Sequence, residues 1–339
     1  MFSESVNSYE KLFATFSEKN VLIVGDVMID TYYWGKVERI SPEAPVPVVN
    51  IQNTDFRLGG AANVALNVQE LGANPILCSL IGNDRNGEDF ISLLKEYKMS
   101  ASGIVSSNER PTTNKVRVIG NNAQMLRIDM ELDASITTKE NKKLIERIEA
   151  IFEQQRINVV VFEDYDKGVI TPELIKHISA YAIKNNIPLI ADPKKRNFNH
   201  YKNFSLFKPN FKELREGLAI DLKVQNHKQL FSTVSRFQEK QNIDILLVTL
   251  SEHGVLVSAK NAENVLEQKL IPAHYRNIAD VSGAGDTLTA TAALCLACAM
   301  SPTEIAAISN LAGGLVCEKV GVVPIGKEKL LKEILCLKK

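Results

Sequence analysis

Short apolar segments alternate with helix-patterned segments along most of the chain, and this alternation restricts the fold more than any other feature of the sequence. The strand-like segments cover residues 20–30, 158–165, 187–193, 205–210 and 244–251, and each ends in polar or charged residues. Apolar runs of this length are typical of strands that are buried on both faces of a parallel sheet. The alternation therefore predicts a three-layer α/β/α fold with a mainly parallel central sheet.

The polar residues that end these segments are candidates for a binding site. Ligands of an open parallel sheet bind at the carboxyl ends of its strands, so residues that end several strands are expected to gather there. Loops are polar in any protein, and part of this group is therefore expected to have no functional role. The residues are Asp26, Asp30, Asp164, Asp192, Asn210 and Thr249.

Two segments break the alternation. Residues 32–51 and 103–131 have alternating, β-branched patterns with prolines that suit edge strands, and Asn121 and Asn122 form a typical hairpin turn. The two segments predict a small accessory sheet. Because no Ser/Gly-rich linker and no internal repeat separates this sheet from the rest, residues 1–339 are predicted to form a single domain, with inserted lid segments at about 31–52 and 103–131.

Charge and cysteine content narrow the class of protein. The chain has 339 residues, of which 40 are basic and 40 acidic, and this balance argues against nucleic acid or an anionic membrane as a partner. No run approaches the roughly 18 apolar residues of a membrane helix, and the N-terminal residues do not resemble a signal peptide. The five cysteines are odd in number and lie mostly in apolar segments, as expected of reduced thiols. We therefore expect a cytoplasmic protein with a small-molecule ligand.

A glycine-rich turn precedes a helix-patterned segment near the C-terminal end. Gly283, Ala284 and Gly285 allow close approach to the backbone, and amides at the start of a helix attract anions. Asp286 follows at once, and its carboxylate either caps the helix or takes a proton from a group that reacts with the anion. The chain has no P-loop motif, and the turn is not a complete dinucleotide-binding motif because Leu288 stands where the third glycine belongs.

Two separated motifs resemble the ribokinase-like, or PfkB, family of carbohydrate kinases. They are GGAANVALNVQELG at residues 59–72 and DVSGAGDT at residues 280–287, and the resemblance extends from about residue 19 to about residue 335. Within this family the chain is most similar to the heptose 7-phosphate kinases of ADP-heptose synthesis, in segments such as RLGGAANVALNVQELGA, QMLRID and DYDKG. The resemblance implies a ribokinase-like fold with a small β-sheet lid, and a phosphotransferase that acts on an alcohol group.

The resemblance also implies roles for the motif residues. The Asp286 carboxylate would take the proton from the sugar hydroxyl, and Gly283, Ala284 and Gly285 would form an anion hole for the transferred phosphoryl group. Helix capping is the alternative role of Asp286. The residues expected to bind the sugar are Asp30, Gly59, Gly60 and Asn63.

A second set of residues is implied for ATP, the expected phosphoryl donor. The family's N-x-x-E motif matches Asn210 and Glu213, and Glu213 would hold Mg²⁺ through water near the triphosphate. The resemblance leaves open a monovalent cation such as K⁺. The remaining residues expected near the nucleotide are Asp192, Lys194, Thr249, Ser251, Gly254 and Asn310.

Basic residues in the lid segments are candidates for recognition of a phosphorylated sugar. Arginine suits this task because its planar fork bonds two phosphate oxygens, although any single one of these residues could simply face water. The resemblance implies phosphorylation of D-glycero-D-manno-heptose 7-phosphate at its anomeric hydroxyl to the 1,7-bisphosphate, for ADP-heptose and lipopolysaccharide core synthesis. The lid residues are Lys36, Arg39, Lys115, Arg117 and Arg127.

The sequence also gives expectations about assembly and pathway. The lid segments carry a row of apolar residues that one domain cannot bury on both faces, so a two-fold homodimer joined through the lids is expected. Many relatives carry a fused nucleotidyltransferase with an H-x-G-H motif, which no histidine of this chain begins, and a separate nucleotidyltransferase is therefore expected. The alternatives are a PfkB-family kinase for another sugar, sugar phosphate or nucleoside, a dinucleotide-dependent oxidoreductase, and a non-catalytic sugar-binding regulator.

Overall fold

Strands and helices alternate in the computed structural model as the sequence pattern predicts, over the residues that the structure describes, 6–261, 263, 265–274 and 277–337. The strands are β1 (Asn20–Gly25), β2 (Val27–Ile40), β3 (Pro47–Gly60), β4 (Asn74–Gly82), β5 (Ile104–Ser107), β6 (Asn114–Gly120), β7 (Ala123–Met130), β8 (Val159–Glu163), β9 (Leu189–Asp192), β10 (Leu206–Phe207), β11 (Ile245–Thr249), β12 (Val255–Lys260) and β13 (Leu266–Ile271). The α-helices are α1 (Val6–Ala14), α2 (Ala61–Glu70), α3 (Arg85–Glu96), α4 (Thr138–Gln154), α5 (Pro172–Lys184), α6 (Phe211–Leu218), α7 (His227–Gln241), α8 (Ala284–Ala297), α9 (Pro302–Val316) and α10 (Lys327–Cys336).

Within the described residues the central sheet has nine strands in the order β13-β12-β11-β10-β9-β8-β1-β4-β5. The strands from β11 to β5 are parallel, whereas β12 and β13 add an antiparallel edge that the sequence analysis did not predict. Helices cover both faces. In β1, Val21 and Ile23 face one apolar core, while Leu22 and Val24 face the other. The prediction of a mainly parallel sheet between two helical layers is confirmed.

A second sheet of four strands, which we call the lid sheet, has the order β3-β2-β6-β7. Asn121 and Asn122 have φ values of 52° and 65° and form the β6–β7 turn, as predicted. Three predicted boundaries are wrong. The first lid segment continues to Gly60 rather than ending at about residue 52, because all of β3 pairs with β2 in the lid sheet. The apolar run 20–30 comprises two strands, because the chain leaves the central sheet at Asp26 and continues as β2 of the lid sheet. The second lid segment starts at Asn114 rather than at 103, because residues 104–107 pair with β4 in the central sheet.

The two faces of the lid sheet differ in chemistry. Directly opposite residues of neighbouring strands share a face, and the face that carries Asp30 also carries its partners Arg57 and Lys115. The other face carries Phe56 and, on β7, Leu126 and Ile128, whose exposed fractions are 42%, 56% and 46%. We call the second set the apolar lid face. One face of the lid sheet is therefore charged, and the other exposes large apolar side chains.

The described helices include none that is both long and apolar enough to cross a membrane.

Candidate active site

The glycine-rich turn lies at the start of α8, at the carboxyl edge of the central sheet. Gly283 is the N-cap of this helix and has a φ of 79°, a left-handed conformation that favours glycine. A Cβ atom at Gly283 would lie 3.1 Å from the Asn63 side-chain nitrogen. Ala284 and Gly285 then form the first turn, in which backbone amides have no partner within the helix and the Ala284 amide donates a long hydrogen bond of 3.3 Å to the Val281 carbonyl. The turn can therefore present amide hydrogens to an anion.

Asp286 lies in this first turn and is almost completely buried, with 4% of its surface exposed. Its Oδ2 atom accepts a hydrogen bond of 2.7 Å from Asn63 Nδ2, and its Oδ1 atom accepts one of 2.5 Å from the Tyr165 hydroxyl. Burial raises the pKa of Asp286, although these two hydrogen bonds oppose the rise. The side chain does not cap α8. A buried carboxylate with a raised pKa, held beside an anion-binding turn, can accept a proton from a hydroxyl group.

Tyr165 was not predicted as a site residue, although it lies in the DYDKG segment. It belongs to the loop after β8, and the Asp26 carboxylate fixes this loop by accepting backbone N–H bonds from Tyr165, Lys167 and Val169 at 2.8, 3.1 and 2.9 Å. Asp26 follows β1, next to β8 in the central sheet. Asp26, one of the predicted polar strand-end residues, thus has a structural role. It orients the loop whose Tyr165 side chain reaches Asp286.

A row of buried charges lies beneath the glycine-rich turn. Glu163, Asp192 and Lys208 occupy neighbouring strands β8 and β9 and the residue after β10, and Lys208 Nζ lies 2.6 Å from Asp192 Oδ2. Burial alone would raise the pKa of Asp192, but Lys208 and Lys194 hold it below its ordinary value. A Cβ atom at Gly285 would lie 3.9 Å from Lys208 Nζ. The Lys208 ammonium group therefore adds positive charge beneath the anion-binding turn. Lys208 was not predicted as a site residue.

Glu163 has no exposed surface, and neither carboxylate oxygen has a hydrogen-bond partner among the described residues. Burial, followed by the charges of Asp192 and Asp286, raises its pKa well above the ordinary value. The rise in pKa favours the protonated form of this carboxyl group.

The N-x-x-E residues form the first turn of α6. Asn210 and Glu213 make a capping box, and the ammonium group of Lys194 also contacts the Glu213 carboxylate. Burial would lower the pKa of Lys194, but Asp192 and Glu213 hold it well above its ordinary value. No described group of three or more His, Cys, Asp or Glu side chains could hold a metal ion. Glu213 is a hard oxygen donor, and it fits a magnesium ion bound through water and phosphate oxygens.

The remaining residues predicted near the nucleotide lie on β11, in the turn after it and on α9. Thr249 ends β11 and forms a bridge with Asn210. The Leu250 amide donates to the Gly254 carbonyl at 2.7 Å, and Gly254 has a φ of 85°, so Ser251 lies in a tight turn. Asn310 on α9 donates to the carbonyl of Pro272, the residue after β13, at 2.9 Å.

On the charged face of the lid sheet, Arg117 Nη1 lies 2.5 Å from Asp30 Oδ1. Asp30 lies on β2 rather than at the end of the first strand, and a Cβ atom at Gly59 would come within 2.3 Å of its Oδ2 atom. The guanidinium groups of Arg57 and Arg117 stack on the Tyr32 ring, at 4.9 and 5.2 Å from its centroid. This cluster lies near the glycine-rich turn, because Arg57 also donates to the carbonyls of Val320 and Val322, and Val322 Cγ1 is 3.3 Å from a Cβ at Gly283.

Two of the other predicted lid cations lie away from this cluster, whereas Lys115 and Arg127 are the cross-strand neighbours of Asp30 and Arg117 and pair with other carboxylates. Lys36 and Arg39 are exposed on β2, six and nine residues beyond Asp30, which corresponds to roughly 20 and 30 Å along a strand. The Arg127 side chain is 54% exposed and pairs with Asp129. Lys115 pairs weakly with Glu131 at 4.0 Å. Arg117 is thus the predicted cation that contacts Asp30, whereas Arg57 in the same cluster was not predicted.

The fold thus combines a helix start that can bind an anion, a buried carboxylate that can accept a proton and a separate lid sheet, an arrangement suited to an enzyme that transfers an anionic group to a hydroxyl. The family model described as pfkB family carbohydrate kinase matches residues 18–329. The chain therefore belongs to the pfkB family of carbohydrate kinases, which are phosphotransferases that act on a sugar hydroxyl. This membership confirms the predicted family and enzyme class, and it implies ATP as the phosphoryl donor.

Curated relatives share the name Bifunctional protein HldE. The chain is 37% identical to the protein from Aliarcobacter butzleri over 89% of this chain and 61% of that protein. The corresponding values are 34%, 95% and 64% for the Geobacter sulfurreducens protein, and 38%, 89% and 64% for the protein from Helicobacter pylori strain 26695. The chain thus spans somewhat less than two thirds of the length of these relatives.

Solved structures confirm the ribokinase-like fold. Phosphofructokinase-2 from Escherichia coli in complex with potassium has a TM-score of 0.76 and 18% identity, with 95% of this chain and 99% of that chain covered. Ribokinase from Arabidopsis thaliana, complexed with ribose and ATP, has a TM-score of 0.67 and 17% identity, with 93% and 97% covered.

Proposed function

We propose that the chain transfers the γ-phosphoryl group of ATP to the anomeric hydroxyl of D-glycero-D-manno-heptose 7-phosphate, and so forms the 1,7-bisphosphate for ADP-heptose and lipopolysaccharide core synthesis. The observation that carries this proposal is the buried Asp286 carboxylate at the anion-binding turn, near the Asp30–Arg117 cluster of the lid sheet. The motif resemblance to heptose 7-phosphate kinases supports the choice of sugar. The relatives named HldE support it as well.

The transfer step needs a base and a site for the developing negative charge. Asp286 accepts the proton of the sugar hydroxyl, while the amides of Ala284 and Gly285 and the Lys208 ammonium group stabilise charge on the transferred phosphoryl oxygens. Mg²⁺, when bound, neutralises charge on the triphosphate, and Glu213 would hold it through water. A monovalent cation such as K⁺ stays a prediction for this chain.

The 7-phosphate of the sugar requires cations that can exchange partners. Arg57 and Arg117 are lid cations that stack on the Tyr32 ring beside Asp30, and they pair with Asp55 and Asp30. Either guanidinium fork can bond two oxygens of a phosphate group. Because each arginine already has a carboxylate partner, a dianionic phosphate must compete with that partner. This competition favours a dianion over a neutral hydroxyl at the same position.

We also propose that two chains associate through the apolar lid face. Monomeric proteins rarely leave a row such as Phe56, Leu126 and Ile128 uncovered, and a two-fold dimer of lid sheets would bury it in both chains. Ile128→Glu should yield a monomer by light scattering and weaken sugar binding. The matched control is Ile183→Glu on α5, since Ile183 is 45% exposed and Ile128 is 46% exposed. A wild-type protein that stays monomeric at micromolar concentration would contradict this proposal.

A substrate panel with ATP tests the reaction. Heptose 7-phosphate should give the highest kcat/KM, and ³¹P NMR of the product should show a new anomeric phosphate. Fructose 6-phosphate is the informative comparison, because phosphofructokinase-2 shares the fold and has been crystallised with this sugar. A higher kcat/KM with fructose 6-phosphate, with ribose or with a nucleoside would assign the chain to another substrate. The separate nucleotidyltransferase stays a prediction.

A further inference from the structure

Tyr165 is the side chain that connects the candidate base to the loop after β8. Its hydroxyl donates to Asp286 Oδ1 at 2.5 Å, and its backbone amide is held by the Asp26 carboxylate at 2.8 Å. The Lys194 ammonium group lies 5.1 Å from the centroid of the Tyr165 ring and also contacts Glu213. The ring is therefore fixed from the backbone and from one face, and the direction of its hydroxyl is fixed as well.

The hydrogen bond has one stable direction. Burial and the neighbouring Asp286 charge raise the pKa of Tyr165 well above its ordinary value, so the phenol keeps its proton at every working pH. The phenol therefore donates and the carboxylate accepts. A hydrogen bond donated to a carboxylate favours the ionised form, which is the form that can accept a proton from a substrate.

We propose that Tyr165 is the positioning residue of the base. Its hydroxyl keeps the Asp286 carboxylate ionised and holds Oδ1 in place, so that the free lone pairs face the reacting hydroxyl. This inference rests on the proposed role of Asp286 in phosphoryl transfer. Asn63 holds the other carboxylate oxygen from α2, and the two donors together fix the plane of the carboxylate.

The other groups that face Asp286 act in opposite directions. Burial raises the pKa of Asp286 most strongly, the Asp192 charge raises it further, and the Lys208 charge lowers it. Glu163 on β8 lies in the same buried row, and burial raises its pKa as well. All these groups remain in a Tyr165→Phe variant, which removes a single oxygen atom. A change in the titration of Asp286 in that variant therefore reports the lost hydrogen bond.

The first test compares Tyr165→Phe with wild-type enzyme in the pH dependence of kcat/KM. A hydrogen bond to a charged group is worth enough to move a pKa by about one to two units. The acid limb of the profile should therefore shift to higher pH by about that amount. The matched control is Tyr201→Phe, because the Tyr201 hydroxyl donates at 3.0 Å to a different buried carboxylate, that of Asp164. Its acid limb should coincide with that of the wild type.

A second measurement needs no substrate. ¹³C NMR of enzyme labelled at the aspartate carboxyl carbons, with Asp286→Asn to assign the signal, should show the same upward shift of the Asp286 pKa in Tyr165→Phe. Site-specific replacement of Tyr165 by 3-fluorotyrosine, a stronger donor of the same shape, should lower the Asp286 pKa. This second variant decides the matter if Tyr165→Phe does not fold.

The outcomes separate this inference from the proposed function. An unchanged Asp286 titration in both Tyr165 variants, or an equal shift in Tyr201→Phe, would overturn the positioning role. If the enzyme phosphorylates a different sugar, the same pH profile is measured with that sugar. The shift of its acid limb in Tyr165→Phe then decides whether the inference is correct. If Asp286→Asn keeps wild-type turnover, the base assignment fails, and the inference fails with it even if NMR still detects the hydrogen bond.

Discussion

Replacing Asp286 by asparagine removes the candidate base with almost no change in shape. The new amide group meets two donors where the carboxylate accepted both. The Tyr165 hydroxyl can still donate to the amide oxygen, but the amide nitrogen then faces Asn63 Nδ2, which lies 2.7 Å from the present Oδ2 atom. Asn63 cannot turn without loss of its own contact with Asn67, whose Nδ2 donates to Asn63 Oδ1 at 3.2 Å. The variant therefore lacks the base. It also replaces the hydrogen bond from Asn63 with a close contact between two donor groups.

The expected effect on turnover follows from the lost proton transfer. General base catalysis is typically worth about 10²–10⁴-fold, which corresponds to about 2.7–5.4 kcal/mol of transition-state stabilisation. We expect kcat of Asp286→Asn to fall by at least 10²-fold. The affinity of this variant for ATP should stay close to that of the wild type. Asn63 and Tyr165, the hydrogen-bond partners of the residue 286 side chain, are not among the residues predicted to bind the nucleotide. Steady-state kinetics with ADP detection and calorimetric titration with ATP measure the two quantities.

A matched control separates chemistry from damage to the fold. Asp164 is also a buried aspartate whose Oδ2 accepts from an asparagine, Asn197 at 2.9 Å, and from a tyrosine, Tyr201 at 3.0 Å. The Oδ1 atom of Asp164 also accepts from the backbone amide of Asp166 at 2.9 Å, so Asp164→Asn likewise places an amide nitrogen against a donor. Because Asp164 does not contact the glycine-rich turn, kcat of this variant should fall far less than 10²-fold. Wild-type turnover in Asp286→Asn, or an equal loss in the two variants, would refute the reasoning.

Three further predictions concern other charged groups. Arg117→Ala should raise the KM for the sugar phosphate more than Arg127→Ala, because the Arg117 side chain is 18% exposed in the lid cluster and the Arg127 side chain is 54% exposed. Lys208→Met should lower the free energy of unfolding in urea by about 3–5 kcal/mol, because it removes the ammonium group that lies 2.6 Å from the buried Asp192 carboxylate. Burial, and then the charge of a neighbouring carboxylate, raises the pKa of Asp164 from 3.8 to about 7. The protonated form thus stabilises the fold at low pH, and this contribution is lost as the pH rises to about 7. The unfolding free energy of Asp164→Asn should therefore depend less on pH over that range.

Each of these predictions has a contrary outcome. Equal KM values for the two arginine variants would place phosphate recognition elsewhere. Addition of Asp192→Asn to Lys208→Met should recover part of the lost stability, and no recovery would mean that the ion pair is not the cause. Equal pH dependence in wild-type protein and Asp164→Asn would show that Asp164 does not titrate in this range.

The sequence predicts the central sheet well because the strand signal is local. The edge strands β12 and β13 were missed, since neither is a continuous apolar run like the buried parallel strands: β13 has polar residues at its centre, and β12 has polar residues near its end. The boundary at Asp26 was also missed, because an apolar run that changes sheet looks the same in sequence as one that does not. Asp30 therefore belongs to the lid sheet, which only the pairing of β2 with β3 and β6 reveals.

The motif residues of the site could be identified from sequence, whereas their supporting partners could not. Tyr165 and Asp286 are 121 positions apart, and Arg117 and Asp30 are 87 apart, so no local pattern links them. Lys208 could have been recognised from the sequence, because it is a charged residue inside a segment that was predicted to be buried. Such a residue requires a buried partner, and the structure identifies it as Asp192.

Asp26 stands at the junction of two modules that can vary independently. Its carboxylate orients the loop of Tyr165, its backbone carbonyl accepts from the amide of Ala61 at 2.9 Å where the lid sheet returns to α2, and β2 begins at the next residue. Asp30, Arg57 and Arg117, which are proposed to recognise the sugar phosphate, lie on the lid side of this junction, and Asp286, which is proposed to act as the base, lies on the other side. Exchange of lid strands between related enzymes, with Asp26, Gly60 and Ala61 retained, is therefore a route by which substrate choice can diverge while the chemistry is inherited unchanged.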